Sequence, residues 1–140
     1  DLRRARSANT NIIPTTTGAA KAVTKVIPEL TGRIDGMAYR VPVITGSVTD
    51  LTVQLSKKTT TEKINEAYHI ASNKHYKGLL DISMEPLVSS DYIGSNYSCI
   101  IDGLSTKDLG NDFVKVVGWY DNEWGYANRL IDLILHISHN

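Results

Sequence analysis

The stretch Ser47-Val48-Thr49-Asp50-Leu51-Thr52-Val53-Gln54-Leu55 alternates apolar and polar residues over most of its length. Side chains of a strand point alternately to its two faces, so this alternation predicts a β-strand with one buried face and one exposed face. The buried face carries Leu51, Val53 and Leu55, and the exposed face carries Asp50, Thr52 and Gln54. The stretch therefore predicts a half-exposed sheet.

After this strand the apolar period lengthens to that of a helix. The residues at helical spacing are Ile64, Ala67, Tyr68 and Ala71, which predict a helix of about four turns. Thr59 precedes Glu62 by three residues, the spacing of a capping box at a helix start. We expect this helix to cover one face of the sheet.

The rest of the chain adds strands and two more helices. Residues 11–14 are predicted to be extended, because the residue before a proline is disfavoured in a helix, and strands are predicted at 36–42, 79–82, 99–102 and 113–120. A short helix with a threonine N-cap is predicted before Pro28. A final helix opens near Asp121 with the apolar face Trp124, Ala127, Leu130, Ile131, Ile134 and Ile137. Strands outnumber helices without strict alternation, so the predicted fold is α+β, a mainly antiparallel mixed sheet covered by helices.

Composition excludes several functional classes. The 140 residues include 15 Lys+Arg and 15 Asp+Glu, a neutral balance that argues against nucleic acid as a partner. Cys99 is the single cysteine, so the chain cannot form an internal disulfide and we expect a reducing, cytoplasmic location. Apolar runs fall far short of the roughly 20 residues that span a membrane, so we expect no membrane partner. The chain opens at Asp1 without methionine and is expected to be part of a longer protein.

Two features could bind an anion. The turn Thr16-Thr17-Gly18 places hydroxyls and a backbone amide at a predicted helix N-terminus, where the helix dipole favours negative charge. Threonines at this position could instead simply cap the helix. Arg40, on a predicted strand, could grip a phosphate with its guanidinium, or could be an ordinary exposed arginine.

The densest polar and aromatic cluster is Trp119-Tyr120-Asp121-Asn122-Glu123-Trp124-Gly125-Tyr126, between a strand end and a helix start. Asn122 has an amide donor and a carbonyl acceptor, so it could bind a carboxamide such as that of nicotinamide. Alternatively, Asp121 or Asn122 caps the last helix and the aromatic rings belong to the core. Cys99, among apolar neighbours, is predicted to be a structural thiol. His136 and His139 share a predicted helix face at i, i+3, but the sequence there shows no metal-ligand motif with cysteine or carboxylate, so no metal site is expected.

Six motifs together resemble the phosphorylating glyceraldehyde-3-phosphate dehydrogenases, in the bacterial style. They are Arg3-Arg4-Ala5-Arg6, the run from Asn11 through Pro14-Thr15-Thr16-Thr17-Gly18 to Val23, Val26-Ile27-Pro28-Glu29-Leu30, Gly36-Met37-Ala38-Tyr39-Arg40-Val41-Pro42, Ser89-Ser90-Asp91 and the cluster at 119–126. The resemblance is to the C-terminal part of that family. It implies the tail of a long surface loop at 1–11, catalytic-domain sheet and helices at 12–121, and at 122–140 a C-terminal helix that packs on the NAD-binding domain.

The resemblance also implies roles for individual residues. Thr17 and Gly18 match positions that bind inorganic or substrate phosphate, and Arg40 matches the arginine that grips the substrate phosphate. Asn122 matches the asparagine that fixes the nicotinamide carboxamide of the cofactor NAD, and Tyr126 lies beside that ring. The family's catalytic cysteine and histidine have no counterpart here, so no catalytic residue is assigned and the isolated chain is expected to be inactive.

In the intact enzyme the family implies thiolate attack on the aldehyde, hydride transfer to NAD and phosphorolysis of the thioester. The expected partners are a small phosphorylated aldehyde, inorganic phosphate, the missing N-terminal NAD-binding half and the other subunits of a homotetramer. One alternative is an erythrose-4-phosphate dehydrogenase, which shares these motifs. Another is a non-catalytic binding or assembly module.

Overall fold

A computed structural model describes residues 1–110 and 112–138 of the chain. The chain divides into two compact units, Asp1–Ile44 and Thr45–Asn140. The segment 12–121, predicted as one part of a catalytic domain, contributes to both units. The predicted division into the segments 1–11, 12–121 and 122–140 stays a prediction.

The first unit is built around a two-stranded antiparallel sheet. Strand β1 (Ile13–Thr15) pairs with β2 (Ala38–Arg40), with Pro14 opposite Tyr39. Between them lie helix α1 (Ala19–Val26) and a 3₁₀ turn, Pro28–Leu30, and another 3₁₀ turn, Ala8–Thr10, precedes β1. The strand predicted at 36–42 is thus shorter than expected, because its pairing is limited to the three residues of β1.

The second unit contains the main sheet and the two longer helices. In chain order it comprises β3 (Ser47–Gln54), α2 (Thr61–Asn73), β4 (Leu80–Ser83), a 3₁₀ turn (Ser89–Tyr92), β5 (Cys99–Asp102), β6 (Lys107–Asp108), β7 (Phe113–Tyr120) and α3 (Trp124–Ser138). The strand order is β3, β7, β5, β4, with β6 also paired to β7. Only the β4–β5 pair among these described strands is parallel. This arrangement confirms the α+β fold with a mainly antiparallel mixed sheet.

The core lies between α2 and the sheet. Its buried residues are Ile64, Ile101, Val114 and Val116, and the partly buried Val53, Leu55, Tyr68, Leu80, Ile82 and Cys99 pack against them. The predicted burial of one face of β3 is confirmed for Val53 and Leu55, whereas Leu51 remains 39% exposed. Leu51 pairs with Val116 in the ladder but lies outside the core that α2 covers.

Two predicted helix starts are displaced by one residue. The N-cap of α2 is Thr60 rather than Thr59, and its hydroxyl accepts a hydrogen bond from the Lys63 N–H at 3.4 Å. A hydrogen bond with Thr60 also lowers the pKa of Glu62. The N-cap position of α1 is Gly18 rather than a threonine. Sequence spacing alone permits a cap at either of two adjacent threonines, and the backbone conformation selects one.

Candidate functional site

The turn before α1 leaves backbone donors available at the helix start. The Thr17 hydroxyl accepts a hydrogen bond from the Ala19 N–H at 3.1 Å, so this threonine does perform a local capping role. The first helical bond runs from the Ala22 N–H to the Gly18 carbonyl. A Cβ placed on Gly18 would meet no heavy atom within 4 Å, so the space above this backbone is open. An anion could approach the N–H groups here closely.

Arg40 is the last residue of β2 and lies opposite Ile13, the first residue of β1. Ile13 is buried, whereas Arg40 is exposed. Within residues 1–110 and 112–138 the guanidinium makes no hydrogen bond or ion pair, so its donors remain available to a ligand. Thr17 lies two residues beyond Thr15, the last residue of β1, so the structure places Arg40 and Thr17 near opposite ends of that strand. They form two separate candidate anion positions rather than one.

In the second unit, Asp121 organises the junction between β7 and α3. Its side chain is 4% exposed. One carboxylate oxygen accepts the N–H groups of Glu123 at 3.0 Å and Trp124 at 2.8 Å, and the other accepts that of Gly94 at 2.9 Å. These hydrogen bonds to the charged form, above all that from Gly94, lower the pKa of Asp121. Asp121 therefore caps α3 and ties it to the loop after the Ser89–Tyr92 turn.

Asn122 extends from this fixed backbone into solvent. The Ser47 hydroxyl donates a hydrogen bond to Asn122 Oδ1 at 3.0 Å, although 75 residues separate the two in sequence. In the part of the chain that the structure describes, Asn122 Nδ2 has no hydrogen-bond partner. Tyr126, one helical turn further and 65% exposed, lines the same cavity of about 250 Å³. The site thus combines a free amide donor with an exposed ring, a set suited to a planar ligand that carries a carbonyl group.

The aromatic residues around Asn122 divide between core and surface. The Trp119 ring stacks on Tyr92 with centroids 5.8 Å apart, and its Nε1 donates to Asp102 at 3.2 Å. Trp124 and Tyr126 are both more than half exposed. Trp119 is half-buried beside the core, whereas the core interpretation is wrong for Trp124 and Tyr126. Sequence reasoning missed Asp102 and Ser47, because their partners are distant in sequence.

Cys99 lies in the core rather than in a reactive setting. It packs against the cluster centred on Ile64 and Val116. Burial raises the pKa of its thiol, the direction that reduces nucleophilicity at neutral pH. Its sulfur also lies only 2.6 Å from the position that a Cβ on Gly118 would occupy. This environment agrees with the prediction of a structural thiol.

No group of three or more His, Cys, Asp or Glu residues suited to a metal ion occurs among the described residues, and His139 lies outside them. None of the helices described at 1–110 and 112–138 has the length and apolar character needed to cross a membrane. The predicted assignments of Thr17, Gly18, Arg40, Asn122 and Tyr126 stay predictions.

Comparison with known proteins identifies the family. The model described as "Glyceraldehyde 3-phosphate dehydrogenase, C-terminal domain" matches residues 1–122. The chain is 60% identical over 138 residues to glyceraldehyde-3-phosphate dehydrogenase 1 of Streptomyces avermitilis, covering 99% of this chain and 41% of the relative. It is 52% identical over 140 residues to a chloroplastic glyceraldehyde-3-phosphate dehydrogenase of Arabidopsis thaliana, covering 100% and 35% respectively. The chain is 62% identical over 133 residues to a chloroplastic glyceraldehyde-3-phosphate dehydrogenase of Gracilaria gracilis, and the match covers 95% of this chain and 32% of the relative.

Proposed function

Because the chain belongs to the glyceraldehyde-3-phosphate dehydrogenase family, we propose that it forms the C-terminal catalytic-domain portion of an NAD-dependent enzyme of glycolysis. This enzyme oxidises and phosphorylates glyceraldehyde 3-phosphate to 1,3-bisphosphoglycerate. The chain spans only 41% of its Streptomyces relative and 35% of its Arabidopsis relative, so the activity belongs to the longer protein. The observation that carries the proposal is the free amide donor of Asn122, at the position that matches the family's nicotinamide contact.

In this proposal the first unit binds anions. The open backbone at Thr17 and Gly18 receives inorganic phosphate or the substrate phosphate, because unpaired N–H groups at a helix start attract negative charge. The Arg40 guanidinium binds the substrate phosphate by donating two parallel N–H hydrogen bonds. The separation of these groups at the two ends of β1 suits a reaction that uses two anions.

The second unit holds the nicotinamide end of NAD. The Asn122 amide donates to the ring carboxamide, and Tyr126 lies beside the ring. Bound NAD would supply the hydride acceptor of the reaction. The protein's contribution here is orientation, which can account for a large part of a rate enhancement.

The proposal assigns no nucleophile to these 140 residues. Their single cysteine, Cys99, is partly buried against the core, and this burial raises the pKa of its thiol. We expect the isolated chain to produce no NADH from glyceraldehyde 3-phosphate, NAD and phosphate.

The proposed partners include the N-terminal NAD-binding half. Helix α3 exposes a continuous set of large apolar side chains, each between 44% and 65% exposed: Trp124, Leu130, Ile131, Leu133, Ile134, Leu135 and Ile137. An apolar surface of this kind typically marks a contact with another domain. We further propose a cytoplasmic homotetramer. Because chloroplastic relatives also match, cell fractionation should test the compartment, and analytical ultracentrifugation the assembly.

Steady-state kinetics of the full-length protein that contains this chain test the proposal. Arg40→Ala should raise KM for the aldehyde phosphate by at least tenfold, since it removes a charged bidentate contact. Asn122→Ala should raise KM for NAD instead. Arg33→Ala, which removes an exposed arginine from the same unit as Arg40, is the matched control and should change neither constant. Wild-type kinetics from both Arg40→Ala and Asn122→Ala would contradict the assignments.

The alternatives are distinguished by the full-length protein in one case and by the isolated chain in the other. An erythrose-4-phosphate dehydrogenase would turn over erythrose 4-phosphate faster than glyceraldehyde 3-phosphate. A binding or assembly module would be monodisperse and cooperatively folded as the isolated chain. The exposed apolar face of α3 favours aggregation of that chain or dependence on its partner domain.

A further inference from the structure

We propose that Ser47 is a positioning residue that fixes the orientation of the Asn122 amide, so that Nδ2 rather than Oδ1 faces the cofactor. The inference rests on the proposed function, because the ligand is the nicotinamide carboxamide. Its basis is the hydrogen bond of 3.0 Å from the Ser47 hydroxyl to Asn122 Oδ1.

The backbone on both sides of this hydrogen bond is fixed. Ser47 is the first residue of β3 and pairs in register with Tyr120, the last residue of β7. Gly46, directly before β3, has a φ of +89°, a left-handed conformation that glycine adopts without strain. On the other side, the buried Asp121 carboxylate holds the N–H groups of Glu123 and Trp124. Asn122 therefore leaves a rigid junction within reach of the Ser47 hydroxyl.

An asparagine amide has a donor end and an acceptor end of nearly equal shape, so an exposed amide without a partner can present either. A serine hydroxyl that donates to Oδ1 selects one of these two orientations. Nδ2 is then the end without a partner among the described residues, and it takes an acceptor from the ligand. Of the two polar groups of a carboxamide, the carbonyl oxygen fits this donor and the amino group does not.

Binding of NAD to the full-length protein, measured by calorimetry, tests this inference. Ser47→Ala should raise the Kd for NAD about two- to tenfold, the effect of one hydrogen bond. Ser47→Thr retains a hydroxyl and should restore most of the affinity. Thr49→Val, on the same strand and the same face, is the matched control and should bind like the wild type.

Two further ligands separate positioning from a general structural effect. ADP-ribose lacks the nicotinamide, so its Kd should be the same in Ser47→Ala and the wild type. The 3-acetylpyridine analogue of NAD retains the carbonyl but lacks the amino group. It should bind the wild type within about threefold of NAD, because Nδ2 donates to the carbonyl in both ligands.

The outcomes distinguish this inference from the proposed function. If NAD binds and Asn122→Ala weakens it, but Ser47→Ala does not, the role of Ser47 is wrong and the proposed function stands. An equal loss of ADP-ribose affinity in Ser47→Ala, or tenfold weaker binding of the acetylpyridine analogue by the wild type, also overturns the inference. If NAD does not bind or Asn122→Ala has no effect, both fail.

Discussion

Replacing Asp121 with alanine should loosen the junction that holds Asn122. The change removes an almost fully buried carboxylate that accepts three backbone N–H groups, those of Gly94, Glu123 and Trp124. Two of these donors belong to the start of α3, and the third belongs to a loop 27 residues earlier in the chain. The substitution therefore removes both the cap of the helix start and the hydrogen bond that connects it to that loop.

The magnitude follows from these contacts. Loss of an acidic helix cap costs about 1–2 kcal/mol. Loss of the bond to Gly94 adds about 1 kcal/mol, so Asp121→Ala should destabilise the junction by about 2–3 kcal/mol. Asp121→Asn keeps a capping oxygen but loses the charge and one acceptor, for a cost of about 1 kcal/mol.

Hydrogen exchange measured by mass spectrometry of the full-length protein can localise this effect. Peptides that cover residues 92–96 and 121–126 should exchange about 30- to 150-fold faster in Asp121→Ala, since 1.4 kcal/mol corresponds to a factor of ten. Asp108→Ala is the matched control, because among the described residues the exposed Asp108 carboxylate accepts only the Gly110 N–H, so its loss should change exchange less than about fivefold. Equal exchange in the two variants would refute the reasoning.

The same carboxylate gives a pH dependence with a definite sign. Hydrogen bonds from Gly94 and Trp124 lower the pKa of Asp121 in the folded state. Its stabilisation is therefore present above the unfolded pKa of about 3.9 and is lost as the pH falls through the lowered folded value. The difference in unfolding free energy between the wild type and Asp121→Asn should be full at neutral pH and shrink in acid. A difference that grows in acid would contradict this assignment.

Three further predictions concern packing and surface charge. Gly118→Ala places a methyl group 2.6 Å from Cys99 Sγ, so thermal unfolding should show an unfolding free energy lower by about 1–3 kcal/mol. Adding Cys99→Ala should recover part of this stability, and no recovery would exclude the clash as the cause. Alkylation followed by peptide mass spectrometry should label native Cys99 far more slowly than the unfolded protein, and equal rates would contradict its burial. Lys115→Ala breaks the 2.7 Å ion pair with Asp50. The unfolding free energy measured by denaturant should nevertheless fall by less than about 1 kcal/mol, because both side chains are partly exposed and solvent screens the pair. A larger loss would show that the pair is not screened.

Local pattern was sufficient to predict most elements of this fold. The alternation of β3 and the helical spacing of Ile64, Tyr68 and Ala71 reflect burial on one face, which each segment encodes by itself. The positions of helix caps were predicted less well, because Thr59 and Thr60 offer the same hydroxyl and only the backbone distinguishes them. The pairing of β2 with β1 rather than with β3 depends on long-range contacts that periodicity does not contain.

The candidate site was predicted by residue type and resemblance, and its supporting contacts were not. Asn122 stands out in the sequence as a polar residue among aromatic ones, but the Ser47 hydroxyl that contacts it lies 75 residues away. The same limit applies to Asp102, whose bond to Trp119 Nε1 joins two strands that pair only in the folded sheet. A carboxylate or hydroxyl in a sequence does not show which distant donor or acceptor will meet it.

The structure separates polar residues that hold the fold from those available to a ligand. Asp102 and Asp121 are buried, and each accepts several hydrogen bonds, as burial of a charged group requires. Arg40 and the Nδ2 atom of Asn122 are exposed and have no partner in the described ranges 1–110 and 112–138. A group that must bind a phosphate or a carboxamide has to keep its donors unpaired until the ligand arrives. The acidic residues should therefore affect stability first and binding second, whereas Arg40 and Asn122 should affect binding with little change in stability.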